Sequence, residues 1–586
     1  MKYINANIDG NPVSVLEGTT IMQAADSIGV HVPRLCYHPL ISQEGACRIC
    51  VVEVEGFRNY LPSCATKLTD GMVIKTNSPD IRRTRRDLIE LLLDNHPREC
   101  QTCERDGNCE LQNNAYKLGV RERLFEGARK RYPIENSSNA VVRDPEKCIL
   151  CARCVRVCSE IQGVHNLSQI GRGFNTRVTP AFEAKMDDSI CIKCGQCINV
   201  CPTAAFIEQD STEDVWKALA DPNKFVIVQT APAIRAAIGE GFGMPVGANA
   251  EGKSVFALRR LGFDAVFDTN FAADLTIVEE ANEFLERFKK NEKLPIITSC
   301  SPGWIKFMEH FYPEFIPNAS SCRSPMSMLS VLTKTYYAEK FKIDPDSIYM
   351  VAVMPCVAKK FEAKRSEHRL PNGMPYTDAV ITTRELIWMI KAYGIDFVNL
   401  PDDDFDKPLG FSTGAGTIFG TTGGVMEATL RTAYEKLTGN SLQSLDYHIA
   451  RGVDGLREAS VQINGTTLNV AVANGLENAK RILEKVKLGE KQYHIIEIMA
   501  CPGGCVSGGG QPIAPAEKYI YPLDKEIILK RQMALYNIDS AKKIRKSHEN
   551  PYILKLYEEY LGQPGSIIAH KLLHTTYHAR LPKGIK

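Results

Sequence analysis

The stretch HIIEIMACPGGCVSGGGQP, residues 494–512, decides how the rest of the chain is read. Its first half is an apolar run of strand type, and it ends directly on Cys501-Pro502-Gly503-Gly504-Cys505. In α/β sheets, chemistry collects beyond the carboxyl ends of strands, so this thiolate pair sits where a site is expected. The glycines at 508–510 let backbone approach something bulky without a Cβ in the way. Two other apolar runs end in the same manner: LPIIT leads into Ser299-Cys300-Ser301-Pro302-Gly303-Trp304, and YMVAV leads into Met354-Pro355-Cys356. Three strands are therefore expected to deliver thiolates to one edge.

Around these runs, from residue 210 to 586, strand-like and helical patterns alternate. FVIVQTAP precedes AIRAAIGEGF, AVFDTNF precedes a run containing VEEANEFLERF, and AVITTRELIWMIKAY holds both. Such alternation predicts parallel sheets covered by helices. A second glycine cluster, GAGTIFGTTGG (414–424), has a phosphate-cradling loop as its rival reading, but it matches neither G-x-G-x-x-G nor the P-loop with its lysine.

Upstream lie four more cysteine groups. The first is Cys36-x10-Cys47-x2-Cys50-x13-Cys64, after a hairpin pattern (KYINANIDGNPVSVLEG) and a short helical run. It looks like a plant-type [2Fe–2S] ferredoxin domain with a widened first loop, structural zinc being the alternative. Next comes His96-x3-Cys100-x2-Cys103-x5-Cys109, in which one imidazole joins three thiolates and should raise the potential of a [4Fe–4S] centre. Finally Cys148-x2-Cys151-x2-Cys154-x3-Cys158 and Cys191-x2-Cys194-x2-Cys197-x3-Cys201-Pro202 carry the two-cluster bacterial ferredoxin signature. There the fourth cysteine of each run ligates the other cluster, which groups Cys148, Cys151 and Cys154 with Cys201, and Cys191, Cys194 and Cys197 with Cys158.

The bulk numbers agree with a multidomain redox protein. At 586 residues, 44% hydrophobic and 24% charged, the chain holds roughly three or four domains. A net charge of +2 offers no electrostatic footprint for nucleic acid or an anionic membrane. The start MKYINANIDGNPVSV lacks a signal pattern, and no run approaches about 18 uninterrupted apolar residues. The expected location is the cytoplasm, where twenty cysteines speak for metal ligation over disulfides.

The segments TSCSPGW (298–304), MPCVAKKFE (354–362) and EIMACPGGCVSGGGQP (497–512) resemble the three signature motifs of [FeFe]-hydrogenases. The upstream cysteine groups resemble the accessory clusters of multi-cluster bacterial members, and the front end alone also resembles the large iron–sulfur subunit of respiratory complex I. The resemblance implies an α+β multidomain chain. Its parts would be a β-grasp [2Fe–2S] ferredoxin-like domain (1–79), a small one-histidine three-cysteine domain (80–125), a two-cluster ferredoxin-like domain (139–209) and a large two-lobed α/β H-cluster domain (210–586).

The implied activity is reversible 2H⁺ + 2e⁻ ⇌ H2. The implied cofactors are one [2Fe–2S] cluster, three accessory [4Fe–4S] clusters and the H-cluster, a [4Fe–4S] cubane joined to a diiron unit with CO, cyanide and azadithiolate ligands. Carried over motif by motif, Cys356, Cys501 and Cys505 would be ligands, Cys505 the bridge to the diiron unit. Lys359 would donate to a cyanide, and Met354 and Met499 would pack softly around the diiron site. The family's first motif has two adjacent cysteines, a proton carrier and then a cubane ligand. This chain has Cys300 and Ser301 there, so either can be the fourth ligand, with thiolate the better donor for iron–sulfur.

The resemblance puts the proton path at Cys300, Glu280, Ser320, Glu283 and Arg287. Spacing of i, i+3, i+7 places Glu280, Glu283 and Arg287 on one helix face, where a solvated ion-pair face is the plain alternative. Cys322 stands outside every group and reads as a buried free thiol. His570, His574 and His578 read as packing or surface, the basic run 82–86 as a solvated helix face, and Trp304 and Trp388 as core.

No dinucleotide fingerprint occurs, so NAD(P) or flavin chemistry belongs on another subunit. The implied partners are ferredoxin, or flavin- and NAD(P)-binding hydrogenase subunits, together with H-cluster maturation proteins. The alternatives are a non-catalytic iron–sulfur relay or scaffold subunit and a hydrogen-sensing relative.

Overall fold

A computed structural model of the chain describes residues 2–122, 125, 127–440, 445–447, 450–463, 465–515, 521 and 523–581. Residues 1 and 586, the outer limits of the expected first and last domains, lie outside the described residues.

The N-terminal sheet contains β1 (Tyr3–Ile8), β2 (Asn11–Leu16), β3 (Val51–Val54), β4 (Leu61–Pro62) and β5 (Val73–Lys75), in the order β2-β1-β5-β3-β4. The β1–β2 hairpin turns on Asp9 and Gly10, both at positive φ, which suits the strand twist. A helix, Ile21–Ser27, starts on a Thr20–Gln23 capping box and buries Ile21, Met22, Ala24 and Ala25 against Ile4, Ile8, Val52 and Ile74. The helix Pro79–Asn95 follows. Of its basic run, Arg82, Arg83 and Arg86 are exposed, whereas Arg85 is buried and donates to the Val51 carbonyl at 2.7 Å.

Between the N-terminal part and the large domain, β6 (Val141–Arg143) pairs with β9 (Phe206–Glu208), and β7 (Ser168–Ile170) pairs with β8 (Arg177–Thr179). The large domain holds two four-stranded sheets. The first has β10 (Phe225–Thr230), β11 (Ala265–Asp268), β13 (Ile348–Met354) and β14 (Ala379–Thr382), all parallel, in the order β11-β10-β13-β14. The second has β12 (Ile296–Ile297), β15 (Leu456–Ile463), β16 (Thr466–Asn474) and β17 (Ile495–Met499), in the order β12-β17-β16-β15, with only the β15–β16 pair antiparallel.

The expectation of a single edge is thereby corrected. Cys356 leaves β13 of the first sheet, whereas Cys300 and Cys501 leave β12 and β17 of the second. Apolar runs show that strands exist but carry no information on which sheet each one joins. The helix Thr269–Lys290, capped by Asp268, is buried along most of its length and packs on the helices Pro325–Leu332 and Gly424–Thr438. Trp304 is fully buried, while Trp388 is 55% exposed, so its assignment to the core is corrected. It faces a cleft shared with Arg105, Phe206 and Ile513. No helix among the described residues is long and apolar enough to cross a membrane.

The parts are tied together through Arg384. Its guanidinium holds Glu208 of β9 at 2.8 Å through two bonds and donates to the carbonyls of Gly509 (2.6 Å) and Gln511 (2.8 Å). Burial works against the Glu208 charge, but Arg384 keeps the carboxyl below its usual range. Arg384→Met leaves that partly buried carboxylate without its main partner and should cost the apoprotein about 2 kcal/mol, read by chemical denaturation. A midpoint equal to the parent's would count against the tie.

Candidate redox site

The first two cysteine groups close on themselves, and the next two exchange one member each. The thiols of Cys47, Cys36, Cys64 and Cys50 lie within hydrogen-bonding reach of one another in that order. His96 lines one cavity with Cys100, Cys103 and Cys109, and its buried Nδ1 has no hydrogen-bond partner among the described residues. Burial pushes the His96 ring down to about 4, so the ring is neutral, the form that binds metals. Cys201 neighbours Cys148, Cys151 and Cys154, while Cys158 neighbours Cys191, Cys194 and Cys197.

The groups also touch. The buried Arg156 guanidinium donates to the carbonyls of Cys36 (2.8 Å) and Cys151 (3.0 Å), joining the first group to the third. Cys109 Sγ donates to the Pro202 carbonyl at 3.5 Å, joining the second to the end of the fourth. Cys194 in turn faces Cys356 and Cys501.

In the large domain the ends of β12, β13 and β17 converge. The turn 298–301 is pinned from several sides: Trp304 Nε1 donates to the Thr298 carbonyl (3.1 Å), Ser299 Oγ to the Cys322 carbonyl (2.7 Å), and the Ala500 amide to Ser301 Oγ (3.3 Å). Cys300, Cys356 and Cys505 lie deep in the domain yet keep accessible surface, so they face an internal void. Cys300 sits on the side of Cys505 that carries Glu280, Lys359 and Glu497, whereas Cys501 sits with Cys356 and Cys194. Met354 and Met499 are both buried.

Burial pushes all four thiols up, Cys505 to about 12, and the Lys359 ammonium opposes this at Cys300, Cys356 and Cys505. A pocket of thiols whose ionisation burial opposes suits a cationic metal cluster, which supplies positive charge. Lys359 Nζ is aimed by the Glu362 carboxylate (2.6 Å) and donates to the Cys300 carbonyl at 3.3 Å. Burial opposes the Glu362 charge, but Lys359, His368 and the hydroxyls of Ser324 and Ser327 keep it below the usual carboxylate range.

The glycines act through backbone contacts. A Cβ on Gly508 would lie 2.1 Å from the Pro355 carbonyl oxygen, and one on Gly509 would lie 2.5 Å from that of Cys194. What they approach is the protein's own backbone around the void.

Glu280, Ser320, Glu283 and Arg287 form a file from the void outward. Glu280 is 1% exposed, its Oε1 has no partner among the described residues, and it contacts Ser320. Ser320 Oγ donates to Glu283 Oε2 (3.1 Å), and Arg287 pairs with Glu283 at 2.5 Å. Its burial sets Glu280 apart from a solvated ion-pair face. Cys322 is fully buried, its thiol 3.8 Å from Glu283 Oε2.

Sequence reasoning missed Glu497, one turn-length before Cys501. This buried carboxylate accepts from the amides of Gly423 (2.6 Å) and Met426 (2.7 Å) at the start of the helix Gly424–Thr438. Burial raises it to about 6, those amides pulling the other way. A glutamate inside an apolar strand was the available signal. Of the three C-terminal histidines read as packing or surface, His574 is buried and its ring joins Ser321 and Glu279.

Residues 224–509 match the family described as iron only hydrogenase large subunit, C-terminal domain, and residues 525–580 the iron hydrogenase small subunit. Residues 2–79 match a 2Fe-2S iron-sulfur cluster binding domain, 85–123 an NADH-ubiquinone oxidoreductase-G iron-sulfur binding region, and 138–207 a ferredoxin-like domain of NADH-quinone oxidoreductase subunit 3. The NADP-reducing hydrogenase subunit HndD of Solidesulfovibrio fructosivorans is 49% identical over 99% of this chain and 100% of its own. Iron hydrogenase 1 of Clostridium pasteurianum is 42% identical over 97% and 99%. A solved structure of [FeFe]-hydrogenase HydA1 from Chlamydomonas reinhardtii is 44% identical, covering 63% of this chain and 98% of its own, with a TM-score of 0.56. The chain belongs to the [FeFe]-hydrogenases, oxidoreductases that interconvert H2 with protons and electrons, and carries iron–sulfur relay domains ahead of its catalytic domain.

Proposed function

We propose that the catalytic centre is an H-cluster held by Cys356, Cys501, Cys505 and one residue of the 300–301 turn. The observation that carries this reading is the convergence of three strand ends on one void beside Cys194. When bound, that group supplies the metal centre at which protons and electrons combine to H2. Lys359 donates a charge-assisted hydrogen bond into the void, and Met354 and Met499 keep it apolar. Cys300 stands with Glu280 and Lys359, which supports it as the proton carrier; Ser301 Oγ lies beside the strand end that bears Cys501, which supports it as the fourth ligand. This is the reverse of the preference that donor softness alone suggests.

Two variants decide between them. Under this reading Cys300→Ala keeps the infrared CO and cyanide bands and loses roughly a hundredfold or more in turnover, while Ser301→Cys shifts the cubane's paramagnetic signals. Loss of the bands in Cys300→Ala, with unchanged signals in Ser301→Cys, would make Cys300 the ligand. For the centre as a whole, infrared spectroscopy of the anaerobically matured protein is the test, and absence of CO and cyanide bands would sink it.

The front end is read as a β-grasp [2Fe–2S] domain over 1–79 with Cys36, Cys47, Cys50 and Cys64 as ligands, and a [4Fe–4S] domain over 80–125 on His96, Cys100, Cys103 and Cys109. A two-cluster domain over 139–209 would exchange its fourth ligands, Cys158 and Cys201, and the catalytic domain would span 210–586. Arg156 and the Cys109–Pro202 contact support both outer clusters feeding the two-cluster domain, with Cys194 the last step to the centre. Protons would move through Arg287, Glu283, Ser320, Glu280 and Cys300. The two outer clusters fit docking to flavin- and NAD(P)-binding subunits, the relative's NADP-reducing name supporting this over ferredoxin alone.

A further inference from the structure

We propose that His574 is a proton store for Glu283, coupled to it through the hydroxyl of Ser321. The inference rests on the proton path through Glu283 given above, and adds a side branch to it.

Ser321 meets Glu283 twice. Its amide donates to both carboxylate oxygens (3.2 and 3.0 Å), and its Oγ donates to Oε1 at 3.1 Å. The same Oγ lies 2.8 Å from His574 Nδ1. The other ring nitrogen, Nε2, lies 3.1 Å from Glu279 Oε2, which also accepts from the Gly565 amide (3.0 Å), while Tyr557 donates to Glu279 Oε1 at 2.5 Å. With Nε2 donating to the Glu279 carboxylate, Nδ1 faces Ser321 as the position where a second proton is gained or given.

Backbone contacts hold this arrangement. Cys322 pairs with His574 as an isolated bridge, the Thr575 amide donates to the Ser321 carbonyl (2.8 Å), and that of Arg323 to Leu573 (2.8 Å). The charged and titratable groups around the ring are Glu279 and Glu283 from the helix Thr269–Lys290, Cys322, Tyr557 and His570. Arg287 pairs with Glu283, and Lys436 faces Glu279. His574 is 7% exposed, and the His570 ring stacked on it at 4.2 Å is itself exposed, which sets a solvent-facing imidazole against it.

The transfer balances as two concerted hops. The protonated ring gives its Nδ1 proton to Ser321 Oγ as Ser321 gives its own proton to Glu283 Oε1. Glu283 becomes the carboxylic acid, the serine is restored, the ring is left neutral with its Nε2 proton, and solvent protonates it again. An imidazole is suited to this because its charge changes between about pH 5 and 8. Each H2 formed consumes two protons, and Arg287 at the surface end of the file is held by its pair with Glu283. A store one hydroxyl away from Glu283 keeps the second proton at hand.

The test is H2 evolution by the matured holoenzyme near pH 8, measured against buffer concentration. In His574→Gln the rate should fall roughly three- to tenfold at low buffer, recover as imidazole buffer is raised, and leave the CO and cyanide bands unmoved. Ser321→Ala should show the same low-buffer loss, and it decides the matter if the histidine variant fails to mature. Buffer dependence equal to the parent's in both variants overturns the store, as does a loss equal at every buffer concentration, which is what a packing role would give. Glu283→Gln separates the two levels. If it turns over like the parent, the path through Glu283 fails and the store with it; if it is inactive while both other variants behave as the parent, the store alone fails.

Discussion

Glu280→Gln is expected to slow hydrogen turnover by about two to four orders of magnitude while the infrared bands of the loaded site stay in place. Glutamine matches the shape of the buried carboxyl but cannot take up and release a proton. Burial first, and the neighbouring Glu283 charge second, push Glu280 up to about 8, so near neutral pH it holds a proton it can hand on. Retention of more than half the parent rate would remove Glu280 from the proton path. Stability supplies an independent check. Because the folded-state value is raised from 4.5 to about 8, the folded protein binds more protons than the unfolded chain across that window. Stability present at low pH is therefore lost as pH rises through the folded value. The glutamine variant escapes this loss. Its apoprotein should melt above the parent at about pH 9, by an amount on the order of a few kcal/mol, and close to the parent at about pH 4.5. Coincident melting curves at the higher pH would contradict the buried, proton-holding state.

Cys505→Ala should be more severe. Cys505 leaves a glycine pair at positive φ, Gly503 and Gly504, and lies among Cys356, Lys359 and Glu497. A ligand in that position has no nearby substitute, since Ser507 spends its hydroxyl on the carbonyls of Pro502 and Gly504. Turnover should drop to roughly a thousandth of the parent or less, and the CO and cyanide bands should vanish. The paramagnetic signals of the accessory clusters should persist, because their cysteines are supplied by residues 36–201 alone. Bands that survive the substitution would show that Cys505 does not hold the diiron unit.

Much of the front end was legible in the sequence because ligand spacing is local information. The pairing of Cys201 with the first run and Cys158 with the second follows from the signature, and the structure brings those residues together. The three strand-end cysteines were legible for the same reason. Their distribution over two sheets was not, since β12 forms only two residues of ladder and nothing in LPIIT says that its neighbour lies some two hundred positions away in β17. The surroundings of Glu497 and His574 were not legible because their hydrogen-bond partners are distant in sequence, Gly423 and Met426 for one, Ser321 and Glu279 for the other. Trp388 was misplaced because aromatic content predicts burial only on average.

The glycine at 509 limits how such proteins can be rearranged. A chain written as successive cysteine modules invites the idea that modules can be lost or exchanged like carriages of a train. The seam between Gly509 and Cys194 has no room for a side chain, and Gln162 and Asn199 of the relay module donate across it to the carbonyls of Ala500, Ser507 and Gly508. Uncoupling that module would strip donors from the loop that carries Cys501 and Cys505. A lineage that sheds the relay must therefore rewrite the loop's outer lining in the same step, and a chimera that joins one catalytic domain to another's relay succeeds or fails at this seam, whatever its cysteines.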